Sequence, residues 1–266
     1  MPRWQITRIG QPGAADRKTD CERESGIKPV LVLYRNAHTN NGNLPERCWI
    51  YRGNGLPKVA EELDAAESLP FEAVFDTYPL MLAPTQFSAT APLKMAAKRH
   101  AFRAATMGGF CEAMIPALRI DYGEVNRRVE YLKDVLDRAS GADLRLGYPG
   151  GVAALHLDLR FRSAHASGGL LPKPGTAGNL PSGEAYIVPY EGEGEPSRTA
   201  GVLPVQFGSE VVRYRIDNNR AIEVLTDGPV SRAEAERIAK EPAYSNIAEL
   251  GLGVLDAFGI KPIGKT

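Results

Sequence analysis

One amphipathic helix constrains the fold of this chain more than any other stretch of its sequence. After Asp121, apolar side chains recur every three or four positions, at Tyr122, Val125, Val129, Leu132 and Leu136. That spacing predicts a helix with a single apolar face, which must pack against another layer of structure. Asp121 and Glu124 stand where a capping pair stands, and Gly141 predicts the end of the helix. We interpret the apolar stripe as core and not as a cofactor site.

The chain before this helix alternates strand-like and helix-like segments. Three apolar runs have the length and composition of strands: residues 29–34, 48–51 and 71–82. Pro57 is placed to begin a helix between the second and the third run. This alternation predicts an α/β domain over residues 1–141. Residues 1–26 are polar and rich in charge, which predicts an irregular lead-in.

From residue 142 the sequence changes to short strand patterns separated by turns. Three strands are predicted, at residues 154–162, 211–216 and 221–226. The last two flank a polar turn and predict a hairpin. Ser231 with Glu234 predicts the start of a short helix that ends at Lys240. The predicted fold class is α/β, with an N-terminal α/β domain followed by a β-rich α+β catalytic domain over residues 142–266.

Composition argues against several classes of partner. The 266 residues contain 32 lysines and arginines against 32 aspartates and glutamates. Net charge therefore does not predict binding to nucleic acid or to an anionic membrane. No apolar run approaches the roughly 20 residues that a membrane-spanning helix needs. Cys21, Cys48 and Cys111 are far apart and form no zinc-binding pair, which predicts reduced thiols and a cytoplasmic location.

A single carboxylate, Glu184, follows a turn-forming segment at 178–183 and precedes a strand-like run at 185–188. Gly183 lets the backbone bend tightly, so Glu184 is expected at the mouth of a strand. A carboxylate on such a rigid base is a suitable ligand for a hard divalent cation. The same pattern fits a surface turn with a solvated glutamate, and the pattern alone leaves both interpretations open.

Residues 179–189 (NLPSGEAYIVP) resemble the metal-binding signature of the M29 family of metallo-aminopeptidases, the group of aminopeptidase T and aminopeptidase S. Residues 246–251 (NIAELG) resemble a later segment of that family, and residues 105–110 (ATMGGF) give a weaker third match. The three segments occur in the order that the family has. The likeness covers roughly residues 71–266.

The resemblance implies a two-metal aminopeptidase that removes N-terminal residues from peptides. It implies that Glu184 and Glu249 are metal ligands, that the metal is zinc, cobalt or manganese, and that the protein forms a homodimer. Some relatives of the family resemble non-haem iron ring-opening dioxygenases that act on dihydroxypyridines, and this chemistry, with iron as the metal, stays open. No catalytic residue and no organic cofactor site is predicted.

In the family, the remaining histidine and aspartate ligands follow the second glutamate. Only 17 residues follow Glu249 in this sequence, and none of them is a histidine. We therefore expect either a C-terminally truncated chain with an incomplete catalytic domain or a non-catalytic relative that binds a peptide or a partner. The four histidines match no family ligand and are interpreted as structural or surface residues: His38, His100, His156 and His165.

The final segment, residues 259–266 (GIKPIGKT), satisfies the letter pattern of a phosphate-binding loop. Such a loop works only between a buried strand and a helix whose N-terminus faces the phosphates. No helix-forming sequence follows this segment, so nucleotide binding is not predicted.

Overall fold

The computed structural model of this protein describes residues 30–35, 37–51, 61 and 66–261. These residues contain two sets of β-sheets. They belong to two units of the chain. The first unit contains the residues up to Ile120 together with Gly169–Ser182, and the second contains Asp121–Gly168 and the residues from Gly183 onwards. The predicted helix at Pro57 and the predicted lead-in over 1–26 lie outside the described residues.

The first unit contains an antiparallel sheet and a parallel sheet of three strands each. The antiparallel sheet has the order β1 (Leu31–Leu33), β2 (Arg47–Tyr51), β3 (Glu67–Pro70). The parallel sheet has the order β4 (Leu80–Thr85), β5 (Arg103–Gly108), β9 (Thr176–Asn179). The helices are α1 (Phe71–Thr77) and α2 (Thr90–His100), and a 3-10 helix occupies Glu112–Leu118.

The core of the first unit explains why the predicted strand over residues 71–82 is wrong. Residues 71–77 form α1, because Phe71, Val74 and Phe75 lie on one helical face and are buried together. The ring of Phe75 stacks on that of Phe102, with 4.9 Å between their centroids. The strand of this region, β4, begins only at Leu80. A short apolar run suits either structure, and burial of its aromatic residues decides for the helix.

The second unit contains two antiparallel sheets. The larger has the order β13 (Arg220–Val224), β12 (Glu210–Asp217), β11 (Ala200–Phe207), β7 (Gly151–Asp158), β6 (Gly141–Tyr148). The smaller has the order β14 (Leu250–Gly253), β10 (Glu184–Ile187), β8 (His165–Ser167). The helices are α3 (Tyr122–Arg138) and α4 (Pro229–Lys240), with 3-10 helices at Pro242–Ser245 and Leu255–Phe258.

Helix α3 confirms the strongest prediction from the sequence. Asp121 caps it, since its Oδ1 accepts hydrogen bonds from the backbone amides of Gly123 at 2.9 Å and Glu124 at 3.3 Å. The apolar stripe is core, and Val125 and Val129 are fully buried. The helix packs against β8 and β10. The predicted domain boundary at residue 142 lies after α3, whereas the structure groups α3 with the strands that follow it.

The predicted hairpin is confirmed, and the predicted cap of the following helix is wrong. Strands β12 and β13 pair antiparallel across a two-residue turn, Asn218-Asn219, in which both residues have positive φ. Helix α4 begins at Pro229, two residues before Ser231. The amides of Val230 and Ser231 donate to the carboxylate of Glu210 on β12, which therefore satisfies the helix N-terminus in place of a local cap.

The mixed arrangement of helices and sheets confirms the predicted α/β class. Within the described part of the chain, no helix has both the length and the apolar character that crossing a bilayer requires.

Candidate functional site

The candidate site lies on β10, the central strand of the smaller sheet in the second unit. Glu184 is the first residue of β10, as the sequence predicts. Both neighbouring strands hold β10 by antiparallel pairing, with Glu184 opposite Gly253 on β14 and Ser167 on β8. A central strand with a partner on each side is a rigid base for a functional side chain.

The two faces of β10 have different environments. Ala185 and Ile187 are fully buried on the side that packs against α3. Glu184 and Tyr186 alternate with them and occupy the opposite face, where both are partly exposed. The sheet therefore presents its polar side chains on the face away from the core.

Gly251 provides the space that the Glu184 carboxylate occupies. A Cβ atom added to Gly251 would lie 2.2 Å from Oε1 of Glu184 and 3.1 Å from its Cδ. The carboxylate thus lies directly over the backbone of β14, where any side chain at position 251 would exclude it. Gly251 needs no unusual backbone angle, since it is not among the glycines with positive φ. Its absent side chain, and not its flexibility, is what the site requires.

Glu249 lies two residues before Gly251, on an exposed segment next to β14. It is close enough to Glu184 to affect its ionisation: burial raises the pKa of Glu184 first, and the negative charge of Glu249 raises it further. The described residues include no basic side chain that forms an ion pair with either carboxylate. The two predicted ligands therefore lie within electrostatic range of each other, and no ion pair among the described residues offsets their charge.

Tyr186 and His165 lie beside this carboxylate pair. They face each other across β10 and β8, and their rings stack with 5.1 Å between centroids. Burial, followed by the charges of Glu249 and Glu184, raises the pKa of Tyr186 above its usual value of 10.0. Its phenol is therefore protonated at neutral pH and is able to donate a hydrogen bond to a bound molecule.

The other histidines and the acidic loop have partners elsewhere. His100 pairs with Asp76 at 2.7 Å and His156 pairs with Asp143 at 2.8 Å. In the loop after β10, Glu193 pairs with Arg162 and Glu195 with Arg160. These groups stabilise local structure, and the structure does not place them with the Glu184–Glu249 pair.

The donor set fits a divalent cation only in part. Hard cations take carboxylate oxygens as ligands, and the Glu184–Glu249 pair supplies two carboxylates without a competing basic partner. Mononuclear iron oxygenases use two histidines and one carboxylate, and two-metal hydrolases use a larger set of ligands. Over the residues that the structure describes, no group of three or more His, Cys, Asp and Glu side chains is placed to hold a metal ion. The described residues complete neither set.

Tyr186 and Gly251 were not predicted as site residues, although the sequence contains an indication of each. Tyr186 is two positions after Glu184 in a strand, and the two-residue period of a strand places both on one face. Gly251 stands inside the second matched segment, but its role depends on the register of β14 against β10, which local sequence does not specify.

We expect Gly251→Ala to displace the Glu184 carboxylate while leaving the fold almost unchanged. The clashing atom is the end of a flexible side chain, so the glutamate moves and the strand backbone does not. The expected result is a weakened affinity for Mn²⁺, measured by calorimetry, with a thermal midpoint close to that of the original protein. Gly208→Ala, which has open space around it, controls for loss of a glycine, although its φ of 58° adds local strain. Unchanged Mn²⁺ affinity in Gly251→Ala would contradict this role.

One solved structure, that of 2,5-dihydroxypyridine dioxygenase from Pseudomonas putida KT2440, is similar to this chain with a TM-score of 0.54 and a sequence identity of 15%. The match covers 72% of this chain and 56% of the dioxygenase chain, so this chain spans little more than half of that protein. No family model and no curated protein sequence matches the chain. At this identity the likeness shows a shared fold and assigns no activity.

Proposed function

We propose that this protein is a metal-dependent enzyme that opens the ring of a dihydroxypyridine with molecular oxygen, and that Glu184 and Glu249 contribute to its metal site. The observation that carries the proposal is the carboxylate pair formed by Glu184, at the start of β10, and Glu249, just before β14, which no ion pair among the described residues neutralises. The fold shared with a dihydroxypyridine dioxygenase supports this reaction over others that use a metal.

The chain's own residues have limited roles in this proposal. The negative charge of the two carboxylates attracts a divalent cation. The proposal includes no organic cofactor. In this proposal the Tyr186 phenol, which shares a face of β10 with Glu184, donates a hydrogen bond to a ring oxygen of the substrate. In ring-opening dioxygenases the iron activates oxygen. Because the described residues do not complete the ligand set of that iron, we assign these side chains no further step.

A second candidate reaction is removal of N-terminal residues from peptides. The resemblance of residues 179–189 and 246–251 to M29 aminopeptidases supports this reaction, with zinc, cobalt or manganese as the metal. The homodimer implied by that resemblance stays a prediction, as does the cytoplasmic location.

One experiment separates the two reactions. The purified protein is loaded with Fe²⁺ without oxygen, and oxygen uptake is measured after addition of 2,5-dihydroxypyridine. A parallel sample is loaded with Co²⁺ or Zn²⁺ and assayed for cleavage of leucine 4-nitroanilide. We expect oxygen uptake that depends on iron and on Glu184, with Glu184→Gln as the matched inactive variant. Anilide cleavage without oxygen uptake would favour the aminopeptidase. Neither activity, together with absent metal binding, would favour a non-catalytic relative.

A further inference from the structure

Asn219 connects the β12–β13 turn to the segment that carries Glu249. It is fully buried although it occupies a hairpin turn, where side chains are usually solvated. Its amide Nδ2 donates to the backbone oxygen of Ile247 at 3.0 Å and to Oδ1 of Asn246 at 3.1 Å. Its backbone oxygen accepts from the amide of Ile247 at 3.0 Å. Both backbone polar groups of Ile247 are therefore bound by this one residue.

The turn alone does not explain why asparagine occupies this position. The φ of Asn219 is 63°, a left-handed angle that glycine adopts at no steric cost. The asparagine side chain is fully buried, and its Nδ2 makes two hydrogen bonds that glycine would lose. Turning the amide over would place its oxygen against two other oxygens, so the observed orientation is the favourable one. The hydrogen bonds of this side chain all reach the segment before Glu249.

Glu249 lies between two anchored points. On one side, the bonds to Asn219 hold Ile247, and only Ala248 separates that residue from Glu249. On the other side, β14 begins at Leu250, which pairs with Ile187 of β10. With either anchor removed, the segment that carries the exposed glutamate would lose a contact that holds it in place next to β14.

From these contacts we infer that Asn219 is the positioning residue for Glu249, holding the segment that carries it next to the start of β14. The metal-binding consequence rests on the proposed function, whereas the hold on the segment does not depend on any metal. The neighbouring residue offers a matched comparison. Asn218 shares the turn and a positive φ of 47°, but its side chain accepts from the amide of Ser197 and does not contact the Glu249 segment.

The test compares Asn219→Gly with Asn218→Gly, because glycine keeps both turn angles while removing the side chain. Amide hydrogen exchange is measured first, without metal. Loss of two hydrogen bonds should accelerate exchange at Ile247 by about tenfold or more in Asn219→Gly, with little change in Asn218→Gly. Exchange in β6 and β7 reports global stability and is the reference against which the change at Ile247 is compared in each variant. Equal exchange at Ile247 in the two variants would overturn the inference.

A Mn²⁺ titration of the same proteins then measures the consequence for the site. We expect Asn219→Gly to weaken the affinity by about tenfold, as loss of a residue that orients a ligand does, and Asn218→Gly to leave it unchanged. Asn219→Asp serves if the glycine variant does not fold, since it keeps the shape but directs an oxygen at the Ile247 carbonyl. Accelerated exchange in a protein whose original form binds no Mn²⁺ would support the inference and overturn the proposed function.

Discussion

Replacing Asp158 with alanine should lower the free energy of unfolding by roughly 3 kcal/mol. Asp158 is fully buried at the end of β7, where its carboxylate binds Nη2 and Nε of Arg160 at 2.7 and 2.9 Å. It also accepts from the backbone amides of Arg198 at 2.9 Å and of Arg160 at 3.2 Å. Removing the carboxylate leaves these buried donors without their acceptor. Arg160 keeps its ion pair with Glu195, which limits the loss.

Asp143→Ala is the matched control for this prediction. Asp143 also belongs to an antiparallel strand of the same sheet and also has a charged or chargeable partner, His156. Its side chain is 91% exposed, and solvent screens such a pair, so its removal should change stability little. Urea denaturation followed by circular dichroism measures both variants. Equal losses in the two variants would mean that burial of Asp158 does not determine its contribution.

The pH dependence of stability gives an independent check on Asp158. Hydrogen bonds from Arg160 hold the pKa of Asp158 well below its usual value of 3.8. The folded state therefore keeps this carboxylate ionised when the unfolded state already takes up a proton. The stabilisation is fully present above pH about 4 and is lost as the pH falls below that value. We expect Asp158→Ala to lose stability less steeply in this acidic range than the original protein does.

Local sequence patterns predicted those parts of the fold that depend on local periodicity. The capped helix α3 and the β12–β13 hairpin follow from the spacing of apolar residues and from a polar turn, so both were predicted correctly. The segment 71–77 was not, because a short apolar run is compatible with a strand or a helix, and only the tertiary packing of Phe71 on Tyr34 and of Phe75 on Phe102 separates them. The cap of α4 was missed because Glu210 supplies it from a distant strand.

The sequence predicts Glu184 and Glu249 as ligands, and that remains a prediction, whereas the residues that hold them in place could not be predicted. Position 184 at the start of a strand follows from the turn before it, and the family resemblance pointed to Glu249. Their proximity depends on the pairing of β10 with β14, which joins segments more than sixty positions apart. Asn219 shows the same limit: its sequence context predicts a turn, but nothing local indicates that its side chain is buried against Ile247.

Glu184→Gln and Glu249→Gln should each weaken Mn²⁺ binding by about 100-fold or more, because each removes a charged ligand while keeping the size of the side chain. Glu236→Gln on α4 is the control, since among the described residues that exposed glutamate has a single, distant ion-pair contact, with Lys240 at 3.9 Å. Calorimetric titration of the three variants measures the affinities. Binding by Glu184→Gln as tight as that of the original protein would exclude this carboxylate as a ligand and would contradict the proposed metal site.

The same substitutions, which weaken metal binding, should not lower the folding stability of the metal-free protein. The folded-state pKa of Glu184 is raised, so the folded form binds a proton more readily than the unfolded form does. Stability therefore falls as the pH rises from the usual glutamate pKa through the raised value.

Glu249→Gln removes the charge that adds to this shift, so the metal-free variant should be at least as stable at neutral pH and should lose less stability over that range. A metal-binding role predicts a site whose negative charges lower the stability of the metal-free protein and are neutralised when a cation binds. A variant destabilised in both states would indicate a structural role for Glu249 instead.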